Sequence, residues 1–350
     1  MRFSLLAGAF ILLLAMAGGM VAFTFFSFNH FNEVEDRFDG SCSPVTGVAG
    51  PEDIEISPSS GRAFVSSLDR RAGANARGVI YAVQINDPLD SENWRDRTAG
   101  VPEKFRPLGL NYYESGDTRR LFVVNEAAMA VEIFDVTPVG DLTHLETVTE
   151  RRLTSPNDVI AVGPRSFYVS NDIEPGRSSL LGRLQFLSRT PSGKIYYFDG
   201  IAMSVAADGL RFANGVALNA RGTRFYAAET AGQALRIYDR DPANGVLTLA
   251  KIEPLPAAPD NLNISWDGAI WIGAQPKPLS TPLVERDASL LAPSLVIRYV
   301  DQEGVAAPMT EVFSSKGDLI STATVAAISG SRLLIGALLD DKYLICDLPG

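Results

Sequence analysis

Four short stretches of this chain place an acid or an amide just ahead of an apolar run: Glu52-Asp53-Ile54, Asn157-Asp158-Val159, Asn214-Gly215-Val216 and Asp260-Asn261-Leu262. Carboxylates and amide carbonyls are hard oxygen donors. They suit calcium, which takes six to eight oxygens, and not zinc, which favours His and Cys. Any one of these stretches is an ordinary turn signal, because Asn and Asp are common turn residues. Together, Glu52, Asn157, Asn214, Asp260 and Asn261 offer two carboxylates and three neutral amides, enough to balance a divalent charge. For them to meet, segments roughly 45 to 105 residues apart must converge on one point.

A repeating β architecture does that. From about Asp53 onward the chain reads as short β-branched and aromatic strands between turns. A polar turn leads into one strand, and a second strand follows after a gap. The pattern appears at Gly61 to Val65 with Val79 to Val83, and at Arg120 to Val124 with Val131 to Asp135. It returns at Gly222 to Ala227 with Ala234 to Asp239, and at Gly330 to Ile335 with Lys342 to Cys346. Asp267 to Ile272 opens another unit. Units of about 40 to 60 residues with three or four strands each predict propeller blades, and the length favours six. In a propeller the first residues of each innermost strand face the central channel, which is where the donors must lie. One stretch breaks the repeat: Ser178 to Arg189 mixes Leu and Arg at helical spacing. It predicts an inserted helix on one face, either a packed surface helix or a lid or membrane contact.

The chain has 350 residues, 31 Lys and Arg against 41 Asp and Glu, and a net charge of −10. That balance excludes a basic nucleic-acid surface but not cation binding. Ser4 to Phe28 is apolar and uncharged, long enough to span a bilayer as a helix, with Arg2 before it and Glu33, Glu35 and Asp36 after it. Residues 1–30 are therefore expected to be a signal anchor and 31–350 the propeller domain. A cleaved signal peptide ending near Ala15-Met16-Ala17 is the rival. Either way the rest of the chain lies outside the cytoplasm, membrane-anchored in the first case and secreted in the second. Two cysteines, Cys42 and Cys346, flank the propeller region. They are either two separate buried thiols or a bond joining the ends, which needs an oxidising compartment and would close the ring.

Cys42, Pro51 to Ile56, Pro107-Leu108-Gly109-Leu110, Pro156 to Gly163, Phe212 to Gly215, Asp260-Asn261 and Cys346, in that order, resemble the paraoxonase family of lactonases and arylesterases. The resemblance runs from about Cys42 to the C-terminus and includes the hydrophobic N-terminus. It implies a six-bladed propeller, a disulfide between Cys42 and Cys346, and two calcium ions in the channel. The catalytic calcium would fall on Glu52, Asn157, Asn214, Asp260 and Asn261. The structural calcium would fall on Asp53, Asp158 and the backbone carbonyl of Leu110. The implied activity is hydrolysis of a small lactone or aryl ester, the ion polarising the carbonyl.

The sequence departs from that family where water activation is expected. Leu108 and Glu126 stand in place of a His pair, and Gln275 in place of a further channel His. The only two histidines, His30 beyond the apolar segment and His144 on a strand-like stretch, sit away from these motifs, so a Ser-His-Asp triad is not expected. A carboxylate, Asp260, Glu52 or Glu126, would have to act as base. The alternative is a calcium-binding propeller that has lost hydrolysis and serves as a binding or membrane-associated module. A different propeller chemistry, such as sugar-lactone hydrolysis, stays open. Leu108 in place of an imidazole predicts a more apolar mouth and a preference for hydrophobic acyl chains.

Overall fold

In a computed structural model the described residues are 2–86, 95–98, 100–302 and 309–349, without the side chains of 2–11, 13, 14, 17 and 95. After helix α1 (Arg2–Ser27), twenty-four strands form six four-stranded antiparallel sheets. Blade 1 holds β2 (Pro51–Ile56), β3 (Arg62–Ser67), β4 (Val79–Gln84) and β5 (Arg95–Asp96). Blade 2 holds β6 (Pro107–Ser115), β7 (Thr118–Asn125), β8 (Ala130–Val136) and β9 (Leu142–Thr149). Blade 3 holds β10 (Pro156–Ala161), β11 (Phe167–Asn171), β12 (Gly193–Phe198) and β13 (Met203–Leu210). Blade 4 holds β14 (Ala213–Leu218), β15 (Arg224–Glu229), β16 (Ala234–Arg240) and β17 (Leu247–Pro254). Blade 5 holds β18 (Ala258–Ile264), β19 (Ile270–Gln275), β20 (Ser294–Tyr299) and β21 (Met309–Ser315).

Blade 6 closes the ring. Its strands β22 (Ala323–Ser329), β23 (Arg332–Ala337) and β24 (Lys342–Asp347) are completed by β1 (Ser41–Thr46) from the other end of the chain. Strands β1 and β24 pair antiparallel with Cys42 opposite Cys346, and the two are disulfide-bonded. The sequence pattern did not identify β1, whose burial does not alternate cleanly. The six innermost strands β2, β6, β10, β14, β18 and β22 contact one another in cyclic order, so the ring is continuous. Between blades lie apolar clusters such as Phe122, Val124, Val159, Phe167 and Val169, which glue blade 2 to blade 3. The repeat visible in the sequence is the second and third strands of the blades, which are buried on both faces. The fourth strands are the ones the pattern missed, because they carry mixed, mostly exposed residues, as in β17.

The inserted helix α2 spans Leu180–Leu187, inside the expected stretch, with the Ser179 hydroxyl capping it by accepting from the Gly182 N–H at 2.9 Å. The end of α1 docks beside it: Phe28 stacks on Phe186 at 5.3 Å, and the Thr24 hydroxyl donates to the Leu187 carbonyl. Among the described residues no helix is long and apolar enough to cross a membrane. The anchor expected over 1–30 falls partly on side chains outside the described residues, so it rests on the sequence.

Candidate functional site

Every innermost strand carries a β-bulge near its start. The register slips between Pro51 and Asp53, Pro107 and Leu110, Pro156 and Val159, Ala213 and Val216, Pro259 and Leu262, and Ala323 and Val325. A bulge releases residues from the ladder and re-aims their side chains. Among the residues released are Glu52, Asn157, Asp158, Asn214, Asp260 and Asn261. Prolines open four of these bulged segments, where an N–H is not needed. Two glycines let the inner strands close in: a Cβ on Gly109 would come within 2.3 Å of Asp158 Oδ1, and one on Gly215 within 2.4 Å of the Asp260 carbonyl.

The bulges thus place the expected donors at the starts of adjoining inner strands, and their hydrogen bonds divide them into two levels. At the upper level, Asn261 Nδ2 donates to Glu52 Oε1 and to the Glu52 carbonyl, both at 3.1 Å. Asn214 Nδ2 donates to Asp260 Oδ1 at 2.6 Å, and Gln275 Nε2 donates to Asp260 Oδ2 at 2.9 Å. The Thr281 hydroxyl in turn donates to Gln275 Oε1 at 2.7 Å. The amide N–H groups of Asn261, Asn214 and Gln275 are therefore taken up by the carboxylates and hold them in place. What remains is oxygen: Glu52 Oε2, Asn157 Oδ1, Asn214 Oδ1 and Asn261 Oδ1 are buried and accept no hydrogen bond. Orphaned buried acceptors are costly and rare. Four of them on the bulged starts of inner strands, all oxygens, are donors of the kind a hard cation takes. Among the described residues no three or more His, Cys, Asp or Glu side chains form a ready cage. The array here is mixed, acids with amides.

At the lower level the acids are satisfied. Asp53 accepts from the Ile54 N–H at 2.9 Å and from the Leu110 N–H at 2.7 Å. Asp158 accepts from the Val159 N–H and the Val216 N–H, both at 2.7 Å. Each carboxylate therefore bridges to a neighbouring blade, and Leu110 enters through its N–H. Below them lies a cavity of about 170 Å³ reaching Glu55, Asn111 and Asn263.

Burial raises the pKa of all four acids. Asp53 is pushed up to about 8, by burial first and then by the Glu52 charge. Asp158 rises well above the carboxylate range through burial and Asp53, and Asp260 through burial and Glu52. Burial also raises Glu52, although Arg70 and the Asn261 hydrogen bond pull it back. Four acids that repel one another in a dry channel are a poor arrangement on their own and a good one around positive charge.

Blades 2 and 6 give the upper level no free donor. The Thr324 hydroxyl of blade 6 donates to the Glu52 carbonyl at 2.6 Å. Leu108 of blade 2 is 2% exposed and belongs to the cluster of Phe122, Val124 and Val159. Its side chain is core between blades, which corrects the expectation that it sets an apolar mouth. The ionisable group at that end of blade 2 is Glu126, just after β7, with Arg106 Nε donating to it at 2.8 Å. Burial pushes Glu126 up, but Arg177, Arg70 and Arg106 outweigh it and hold the carboxyl below its usual range. Sequence reasoning missed this cationic surround and also Asp172, buried at the end of β11 with Arg177 Nε 2.9 Å from its Oδ2. The sequence signal for Asp172 was the same acid-after-amide pattern, Asn171-Asp172, after a strand rather than before one. His144 lies on β9 and contacts Glu132 at 2.9 Å, and His30 packs against Phe25 and Phe31. Neither belongs to the channel residues.

A family model described as arylesterase matches residues 36–348. The chain is 30% identical to rat (Rattus norvegicus) serum paraoxonase/arylesterase 1 over 333 residues, 91% of this chain and 92% of the relative. It is 31% identical to chicken (Gallus gallus) serum paraoxonase/arylesterase 2 over the same coverage. Among solved structures, its fold is similar to a gluconolactonase from Xanthomonas campestris, with TM-score 0.57, 16% identity and coverage of 90% of this chain and 91% of that one. It is also similar to regucalcin, a calcium-binding protein from Agrobacterium tumefaciens, with TM-score 0.53, 16% identity and coverage of 89% and 96%. The bulged ring of donors, the ring-closing disulfide and these sequence matches agree: the chain belongs to the paraoxonase/arylesterase family.

Proposed function

We propose that this protein is a calcium-dependent hydrolase of lactones or aryl esters, acting at the upper end of the channel. The observation that carries the reading is the set of four buried oxygens without a hydrogen-bond donor. Glu52, Asn157, Asn214, Asp260 and Asn261 would hold the catalytic calcium, and Asp53, Asp158 and the Leu110 carbonyl a second, structural one. A calcium ion bound at the upper level would polarise the substrate carbonyl and lower the pKa of water.

The chain's own residues do the rest. Asn214 and Gln275 hold both oxygens of Asp260, and Asn261 holds Glu52. This fixes the ring before substrate arrives, so no reorganisation is needed in the transition state. The proton from attacking water goes to a channel carboxylate, Glu52 or Asp260. Of the two, only Glu52 has an oxygen not already engaged by a hydrogen bond. Glu126, ionised and tied to Arg106, is the next acceptor outward. That tie also favours the second reading, a propeller that binds its ligand but turns it over slowly, because an ion-paired carboxylate is a weak base.

The disulfide favours an oxidising compartment and so supports a propeller outside the cytoplasm. Anchoring through the apolar N-terminal segment fits the docking of its end beside α2, whose Leu180, Leu181, Leu184 and Leu187 are exposed. A panel of lactones, aryl esters and phosphotriesters, run with calcium and with chelator, tests the activity. Turnover that survives chelation, or none in calcium, would defeat it.

A further inference from the structure

The propeller's connectivity collects specific loops at the donor end of the channel. Each inner strand starts there, so the loops joining second to third strands and the linkers between blades all emerge at that end. Three arginines sit on them: Arg70 in the β3–β4 loop, Arg106 in the linker before β6 and Arg177 in the β11–β12 loop. Arg177 Nη2 donates to the carbonyl of Pro156, the residue before Asn157, at 2.6 Å. Arg70 lies against Gly50, two residues before Glu52, and its Nη1 donates to the Leu338 carbonyl at 3.4 Å. The two guanidinium groups thus stand at the entries of blades 1 and 3, on either side of the Glu126 position of blade 2.

Their partners are unequal. Arg106 is bonded to Glu126, and Arg177 is paired with Asp172. Arg70 has no acidic partner within ion-pair distance among the described residues, and its Nη2 is buried without an acceptor. Arg70 shares its charge at longer range with Glu52 and Glu126, yet a buried guanidinium donor that no acceptor meets is an unfilled place. With the ring carboxylates turned to a divalent cation, the Arg70 donor would still have no carboxylate of the chain to meet it.

We propose that Arg70 binds a carboxylate carried by the substrate, so that the preferred substrates are anionic lactones or esters rather than neutral, purely apolar ones. This rests on the hydrolase reading above. A single guanidinium without a carboxylate at ion-pair distance matches one monoanionic group, and charge-assisted bonds of this kind carry both affinity and orientation. The carboxylate would sit at the blade 1 entry, with the reacting carbonyl turned toward the cation that Glu52 and Asn214 would hold.

The test compares a γ-butyrolactone bearing a ring carboxylate with its isosteric carboxamide, in calcium, for the unmodified protein, Arg70→Met and Arg70→Lys. The unmodified protein should favour the carboxylate in kcat/KM by at least about tenfold, mainly through KM. Arg70→Met should bring the ratio near one, and Arg70→Lys should keep part of it. Calorimetry with pyroglutamate and pyroglutamamide, lactam counterparts of the two substrates, reads the same preference without turnover. Equal turnover and equal binding of the charged and neutral compounds would overturn the carboxylate position and leave the hydrolase reading standing. Arg70-dependent binding of pyroglutamate with no lactone turnover would do the reverse. If Arg70→Met loses its thermal midpoint, the charged-to-neutral ratio in the unmodified protein decides.

Discussion

The two levels of the channel use the same residue types for opposite ends. At the lower level, Asp53 and Asp158 spend their oxygens on backbone N–H groups of their own and neighbouring strands. At the upper level, the amide N–H groups of Asn214, Asn261 and Gln275 are spent on carboxylates, and four oxygens are left over. A carboxylate that accepts backbone hydrogen bonds joins strands with or without a further ligand. A ring whose buried acceptors are unmet lacks a partner within the chain. The hydrogen-bond pattern, not the residue type, separates the level that is satisfied from the level that is not.

The largest expected effect lies at the upper level. Glu52→Gln should lower kcat/KM by about a thousandfold, on the scale of losing a preorganised electrostatic group. Its thermal midpoint in chelator should hold or rise, because a repelled buried acid has been removed. A clear fall in that midpoint would mean that the upper ring is structural after all. The converse change, Asp158→Asn, should cost about 1–3 kcal/mol of stability in calcium, since one buried backbone N–H loses its acceptor. Urea unfolding measures it. If Asp158→Asn abolished turnover without touching stability, the two levels would have exchanged roles.

The next effect is a pH dependence. Asp53 is raised to about 8 and Glu55, also burial-driven, to about 8. A raised acid binds its proton more tightly folded than unfolded, so its stabilising contribution is complete below the unfolded pKa near 4 and is lost as pH climbs through 8. In chelator the protein should therefore lose thermal stability between pH 5 and pH 8, and calcium should remove most of that slope. A flat profile in chelator would remove the case for mutual repulsion. The smallest effect is expected at Thr281→Val, which frees Gln275 and loosens Asp260: about a three- to tenfold loss in kcat, with little change in stability.

How legible all this was in the sequence varies with the physics. The second and third strands, such as β7, β8, β15 and β16, announced themselves because both faces are buried and their residues are apolar and β-branched. The fourth strands did not, being half-exposed and mixed. The channel donors were readable because Glu52, Asn157, Asn214 and Asp260 recur in one register of the repeat. Leu108 misled, since a missing imidazole is read as a change in the site when its side chain had joined the core between blades 2 and 3. The arginine surround was invisible, because Arg70, Arg106 and Arg177 lie in loops without repeat register.

Residue order alone determined that this chain must build blades, that oxygen donors open several of them, and that cysteines bracket the whole. Local pattern carries that much, since periodicity and residue chemistry are properties of short segments. Which oxygens stay unpaired, that each inner strand bulges near its start, and which guanidinium has no carboxylate at ion-pair distance were decided only by folding. Those are facts about who neighbours whom across blades, and neighbours fifty or more residues apart leave no trace in a linear pattern.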